Sequence, residues 1–311
     1  MGRYIVKRII YMLLTLFIIT TITFFLMHSI PGDPLAHMAK NLPEQVKANY
    51  YKKYGLDQPV IVQYGKFLKN VFTEGNLGES LRYPGRSVTE TVLNNSKVSG
   101  RVGVQAISLG IVIGITLGII AALFRNKWPD YLVMFIAILG VTVPSFIIAS
   151  LLQYTFTVKF QLLPTTGWGD MKHTILPTIA LAFSPIATYA RYMRSNVLEV
   201  INQDYILTAQ AKGVGTFSLI TKHILRNAIL PVITILGPQI AGIFTGSFVI
   251  ERIFGIPGLG SYYITSINDR DYTMIIGTTV FYAAIFVVAQ LVTDILYGIV
   301  DPRIRVSNDN E

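Results

Sequence analysis

Gly246 and Ser247 lie together inside an apolar run, where a serine could serve as a nucleophile. A nucleophilic serine needs a base within hydrogen-bond reach. His37, His173 and His223 fall outside the apolar runs, and His28 stands near the end of a different one. The chain has no cysteine, no His-Glu-x-x-His pair and no Gly-x-x-x-x-Gly-Lys-Ser/Thr phosphate cradle. Ion-coupled carriers place several groups that change charge at mid-membrane. Here the apolar runs hold a single ionisable acid, Asp294, seven residues before Asp301 and so about 10 Å from the inner end of its helix. Pairing of Asp294 with a basic residue of the inner boundary is expected, with a gating role as the alternative, and His28 reads as interfacial rather than as a metal ligand. The chain is expected to be non-catalytic and to bind no cofactor or metal of its own.

The elements that would carry these residues follow from composition. In 311 residues, 52% are hydrophobic and 14% charged, against about 25% charged in ordinary soluble domains. A spanning helix needs about 20 apolar residues. Six such segments are predicted, at 9–30, 102–124, 131–158, 175–190, 228–250 and 274–300. The fold class is therefore all-α, a polytopic membrane protein. Ile9 to Ile30 is too long an apolar run for a signal peptide and lacks a small-residue cleavage site, so it is expected to stay as a span.

The net charge of +9 is accounted for by topology and does not call for nucleic acid. With the amino terminus inside, Arg3, Lys7, Arg8, Arg125, Lys127, Arg191, Arg194, Lys212, Lys222, Arg226, Arg303 and Arg305 are cytoplasmic. Only Lys159, Lys172, Arg252 and Arg270 fall in the short outer loops, which fits the rule that basic residues stay inside. Both termini are then cytoplasmic. The expected division is 1–30 for the amino terminus and first span, 31–101 for an outer loop, 102–300 for a five-helix core and 301–311 for a cytoplasmic tail. The outer loop predicts a helix from Pro43 to Tyr54 stopped by Gly55. A second, amphipathic helix from Gln58 to Thr73 should bury Val62, Phe67, Val71 and Phe72.

Small residues and helix breakers mark the core. Gly110, Gly114 and Gly118 recur on one stripe, which permits close approach of another backbone. Pro144 should kink the third span, with packing or gating as its role. The inner loop 191–227 is too long for a simple connection. Leu198, Ile201, Tyr205 and Thr208 follow helical spacing, Gly213 and Gly215 interrupt, and Phe217, Ile220 and Ile224 resume it. A helix, a turn and a second helix on the inner surface are predicted, a rigid end on which a partner protein or an anionic lipid surface could act.

Two stretches of this loop carry a family resemblance. Asp204-Tyr205-Ile206-Leu207-Thr208-Ala209-Gln210-Ala211-Lys212-Gly213 and Lys222-His223-Ile224-Leu225-Arg226-Asn227-Ala228-Ile229-Leu230-Pro231 resemble the cytoplasmic coupling loop of ABC importer permeases. The form is that of the peptide and nickel subgroup, most like the B-type subunit of oligopeptide permeases. Pro31-Gly32-Asp33-Pro34, Tyr54-Gly55-Leu56-Asp57-Gln58-Pro59, the run from Glu251 to Gly260 and Asp301-Pro302-Arg303 agree with it. The general permease loop has Glu-Ala-Ala where this chain has Leu207-Thr208-Ala209, so no carboxylate stands there; likewise Asn76 stands where an Asp is usual.

The resemblance implies a type I importer fold in the bacterial plasma membrane, in which this chain forms half of an oligopeptide pathway. Dipeptides, nickel or glutathione are alternative cargoes, and an ion-coupled carrier a more distant one. Implied partners are a homologous second permease, two cytosolic ATP-binding subunits that hold ATP and magnesium, an extracytoplasmic peptide-binding protein, the peptide and membrane lipid. Asp204, Tyr205, Thr208, Ala209, Ala211, Lys212, Gly213, His223, Arg226 and Asn227 are the implied contacts to the ATPases.

Overall fold

A computed structural model describes residues 2–31, 35 and 43–300. Among these the chain is helical, and the extended pairing is one isolated bridge, Glu79 with Ser87. The helices are α1 (Gly2–Ser29), α2 (Glu44–Tyr54), α3 (Val60–Glu74), α4 (Val88–Leu123), α5 (Trp128–Thr142) and α6 (Ser145–Gln153), which passes into a π-helical turn, Tyr154–Lys159. Then come α7 (Lys172–Ile201), α8 (Asp204–Ala211) and a composite run, α9, made of Thr216–Ser218, the π-helical Leu219–Ile224 and Leu225–Ala228. The chain closes with α10 (Leu230–Thr234), α11 (Leu236–Phe254), α12 (Leu259–Asn268) and α13 (Tyr272–Val300).

Three stretches, Val6–Ser29, Val88–Leu123 and Tyr272–Ile295, are long and apolar enough to cross a membrane, and they coincide with the first, second and sixth expected spans. The third expected span is not one kinked helix. Trp128–Thr142 and Ser145–Lys159 meet at 104°. Val143, pushed out of the helical region by the following proline, is extended at φ −84°, ψ 121°, and Pro144 at φ −57°, ψ 138° starts a new helix. The fourth expected span is the middle of α7, whose uncharged stretch 175–190 is shorter than a full crossing. The fifth is helical but divided into α9, α10 and α11, with Pro231 in the first turn of α10 and Pro238 in that of α11, where the missing N–H costs least.

Helix α4 starts fourteen residues ahead of its apolar part. Ser87 caps it by accepting a hydrogen bond from the Glu90 N–H at 3.3 Å. In the segment 43–87, Gly55 and Gly75 adopt left-handed conformations (φ 68° and 62°) that end α2 and α3, the first as predicted. The buried face of α3 is different from the expected one. Tyr64 is buried with Phe67 and Leu68 against Phe24 and Met27 of α1, while Val62 and Phe72 are exposed. The Tyr64 hydroxyl also shares a hydrogen bond with that of Thr21 at 2.5 Å, a partner that hydrophobic periodicity does not reveal.

The core pair is α4 on α7. A Cβ on Gly110 would stand 2.7 Å from Pro185 Cβ, one on Gly114 2.7 Å from the Ile186 carbonyl, and one on Gly118 2.6 Å from the Ala190 carbonyl. In lipid the hydrophobic effect does not drive helices together, so contact of this closeness supplies the dispersion energy instead. The glycine stripe thus packs within the subunit. Ala180, Ala182, Ala187 and Ala190 are buried on the α7 side.

Candidate functional site

The platform formed by 191–227 is built onto α7, which runs without interruption from Lys172 to Ile201, past Arg191 and Arg194. Gln203 is extended and resets the helical phase, so α8 does not continue the spacing of Leu198 and Ile201. Its buried residues are Ile206 and Ala209, so the helical spacing of Tyr205 and Thr208 marks the exposed face. Thr208 instead returns its hydroxyl to the Asp204 carbonyl at 2.9 Å. Gly213, at φ 74°, ends α8 while Val214 N–H reaches back to the Ala209 carbonyl at 3.2 Å. A Cβ at Gly213 would meet no atom within 4 Å, so the glycine is needed for its backbone conformation and not for space.

Beneath α8 lies an apolar layer. Ile206 and Ala209 share a cluster with Leu219, Ile224 and Ala228 of α9 and with Tyr189, Met193 and Val197 of α7. Asn196 adds a polar tie, its side-chain amide donating to the Ala228 carbonyl at 3.1 Å. Asp204, Tyr205, Thr208, Ala211, Lys212, Gly213, Arg226 and Asn227 are each exposed. His223 is half-buried, and Ala209 is on the inward side. Leu207 and Phe217, the latter 81% exposed, extend the surface with apolar area.

Sequence reasoning missed how this platform is fastened to the bundle. Asp130, in the first turn of α5 and only 2% exposed, receives Arg194 Nε at 2.5 Å and a second guanidinium nitrogen at 2.7 Å, along with the Asn126 N–H at 2.9 Å. Such a bidentate pair fixes both distance and angle. The signal was an aspartate and an arginine flanking apolar runs, but nothing in their spacing pairs them. Asp294 meets the expectation of a basic partner: Arg8 Nη1 stands 3.1 Å from its carboxylate, joining α13 to α1. Pro144 lies at the break between α5 and α6.

The opposite end of the bundle holds acids that spacing also failed to single out. Glu251, 2% exposed at the end of α11, accepts from the Ser99 hydroxyl at 2.6 Å and the Ser261 N–H at 3.2 Å. Asp271 accepts from the Ser80 hydroxyl, from Leu81 N–H at 3.1 Å and from Met274 N–H at 3.3 Å. Nearby, Tyr83 donates to Asp269 at 2.9 Å, and this bond raises the phenol pKa above its ordinary value. Among the described residues no group of three or more His, Asp or Glu side chains could hold a metal ion. Residues 32–34 and 301–303, parts of two sequence motifs, lie outside the described residues.

Residues 114–306 match the family described as "Binding-protein-dependent transport system inner membrane component", and residues 1–102 match its amino-terminal counterpart. The chain belongs to this family. These inner membrane components include the dipeptide transport system permease protein DppB of Bacillus subtilis (strain 168), 46% identical over 98% of this chain and 99% of that one. The oligopeptide transport system permease protein OppB of Escherichia coli (strain K12) is 39% identical over 98% of this chain and 100% of its own. A chain of the crystal structure of an amino acid ABC transporter with histidines matches at a TM-score of 0.51 and 18% identity, over 69% of this chain and 94% of that one. That likeness carries the permease fold. As a family member the chain is a transport component of the inner membrane and not a catalytic one.

Proposed function

We propose that this chain is the transmembrane permease subunit of a peptide importer driven by ATP hydrolysis in partner subunits. The observation that carries the reading is the identity of 46% and 39%, over nearly the whole chain, with permeases named for dipeptide and oligopeptide transport. The partners are a homologous second permease, two cytosolic ATP-binding subunits in which ATP and magnesium reside, and an extracytoplasmic peptide-binding protein. The platform around Tyr205 to Gly213 receives the ATPases. Their closure pushes α8, and the layer under Ile206 and Ala209 passes the displacement to α7. From α7 it reaches α4 through the glycine stripe and α5 through Arg194 and Asp130. Packed interiors transmit such movement because they do not compress.

The test is uptake of a labelled peptide by proteoliposomes holding the assembled importer. Uptake should require internal ATP and persist with an ionophore. Gly213→Val should reduce it severalfold while the subunit still inserts, because a β-branched residue at φ 74° is strained. Uptake that is insensitive to ATP, or that collapses with the ionophore, rejects the reading. Cargo length has two candidates. The B-type resemblance favours oligopeptides, and the higher identity to DppB favours dipeptides; competition between unlabelled dipeptides and pentapeptides separates them.

A further inference from the structure

The run Glu251 to Gly260 has a geometry that nothing in the transport assignment explains. Three helices meet at one carboxylate. Glu251 ends α11, Ser99 belongs to α4, and Ser261 lies in the first turn of α12. The Ser99 hydroxyl donates to Glu251 Oε1 at 2.6 Å and at the same time accepts from Leu259 N–H at 2.9 Å, so Ser99 Oγ and Glu251 Oε2 both accept from the first turn of α12. Ser99 and Glu251 are 1% and 2% exposed. The glycines of the motif make room for this. A Cβ on Gly258 would overlap the Glu251 carboxyl group, and one on Gly260 would overlap Phe248 and stand 3.0 Å from Glu251 Oε2. The partly positive start of α12 faces the acid, the favourable sense for a helix dipole.

Below the first turn of α12, Leu259 is 1% exposed against Val88 and Val92 of α4 and Met274 of α13. The helix lies between α11 and α13 in the chain, and its start is fastened both by these directional bonds and by the buried Leu259. We propose that α12 is a cover and Glu251 its latch, a positioning residue that holds it shut over the end of the bundle opposite the 191–227 platform and releases it during transport. The inference rests on the peptide-permease reading, to which it adds the outer gate.

Because the chain has no cysteine, a single Ser266→Cys reports on the cover. Ser266 is on α12, 4% exposed, and the change is nearly isosteric. In the assembled importer in proteoliposomes, a membrane-impermeant maleimide should label this cysteine slowly. Adding Glu251→Ala should speed labelling about tenfold, on the order of the factor carried by one buried charge-assisted hydrogen bond. Peptide uptake should be lost while ATP hydrolysis continues. Glu251→Gln should fall between, because its amide keeps one acceptor and turns a donor toward Ser99 or Ser261. Should Glu251→Ala fail to insert, Glu251→Gln and Ser99→Ala carry the test with the same labelling. Unchanged labelling in variants that insert overturns the latch, whether or not uptake falls. Failure of the permease reading shows separately, as absence of ATP-dependent peptide uptake by the importer without any substitution.

Discussion

The two ends of the bundle combine apolar contact and hydrogen bonding in different proportions. At the 191–227 platform, α8 and α9 rest on α7 chiefly through the side chains of Ile206, Ala209, Leu219 and Ile224. At the other end, α12 and the segment 79–87 add to the apolar contacts of Leu259 and Leu81 a set of hydrogen bonds to the buried carboxylates of Glu251 and Asp271. Apolar contact is non-directional and survives small sliding movements. Hydrogen bonds weaken steeply with angle. A surface that is pushed and must stay attached suits the first kind of contact, and a gate that must be either closed or open suits the second.

The buried pair of Asp130 and Arg194 is the inner exception, and removing one partner is the largest expected effect. Asp130→Ala should cost about 3 kcal/mol, the low end for breaking a buried pair, because the Arg194 side chain retains 24% exposure. Thermal unfolding in detergent measures it, and Asp130→Ala with Arg194→Ala should recover part of the loss. A cost under about 1 kcal/mol would mean that apolar packing alone holds the stem, as is usual for surface pairs.

Next in size is the apolar layer itself. Ile206→Ala should destabilise the platform by about 2–5 kcal/mol, the range for a fully buried branched side chain, whereas the exposed Tyr205→Ala should leave stability unchanged and lower uptake only. Hydrogen exchange over 196–228, read alongside uptake, distinguishes the two. Equal protection in both variants breaks the contrast.

The smallest effect is in the outer segment, where Glu79 receives Lys53 Nζ at 3.0 Å and the Gly85 N–H. Burial pushes the Glu79 carboxyl upward, but the Lys53 bond and the Gly85 N–H outweigh it and hold the pKa below the ordinary value. With the folded value depressed, this contribution is present above the ordinary carboxylate pKa and is lost as pH falls through the folded one. Proteolysis of the segment 75–87 should therefore accelerate on acidification, and less so in Lys53→Met. A segment equally resistant at low pH would place its stability in Asp271 and the apolar contacts alone.

Much of this architecture is written locally. The ends of α2, α3 and α8 at Gly55, Gly75 and Gly213 are legible because a left-handed residue is a property of its own backbone. The first, second and sixth apolar segments are legible because length and hydropathy are summed over neighbours. The phase of α8 was not, since Gln203 leaves the helix and the register restarts from whichever face α7 and α9 cover.

Sequence by itself determined that this is a helical membrane chain with an exposed, glycine-ended inner loop and a family signature along its length. Only the tertiary structure decided which partners the acids found. Asp130 reaches Arg194 across 64 residues, Glu251 reaches Ser99 across 152, and Asp271 reaches Ser80 across 191. Helical periodicity correlates residues three and four apart, while a buried charge takes whichever donor the packed helices bring within about 3 Å.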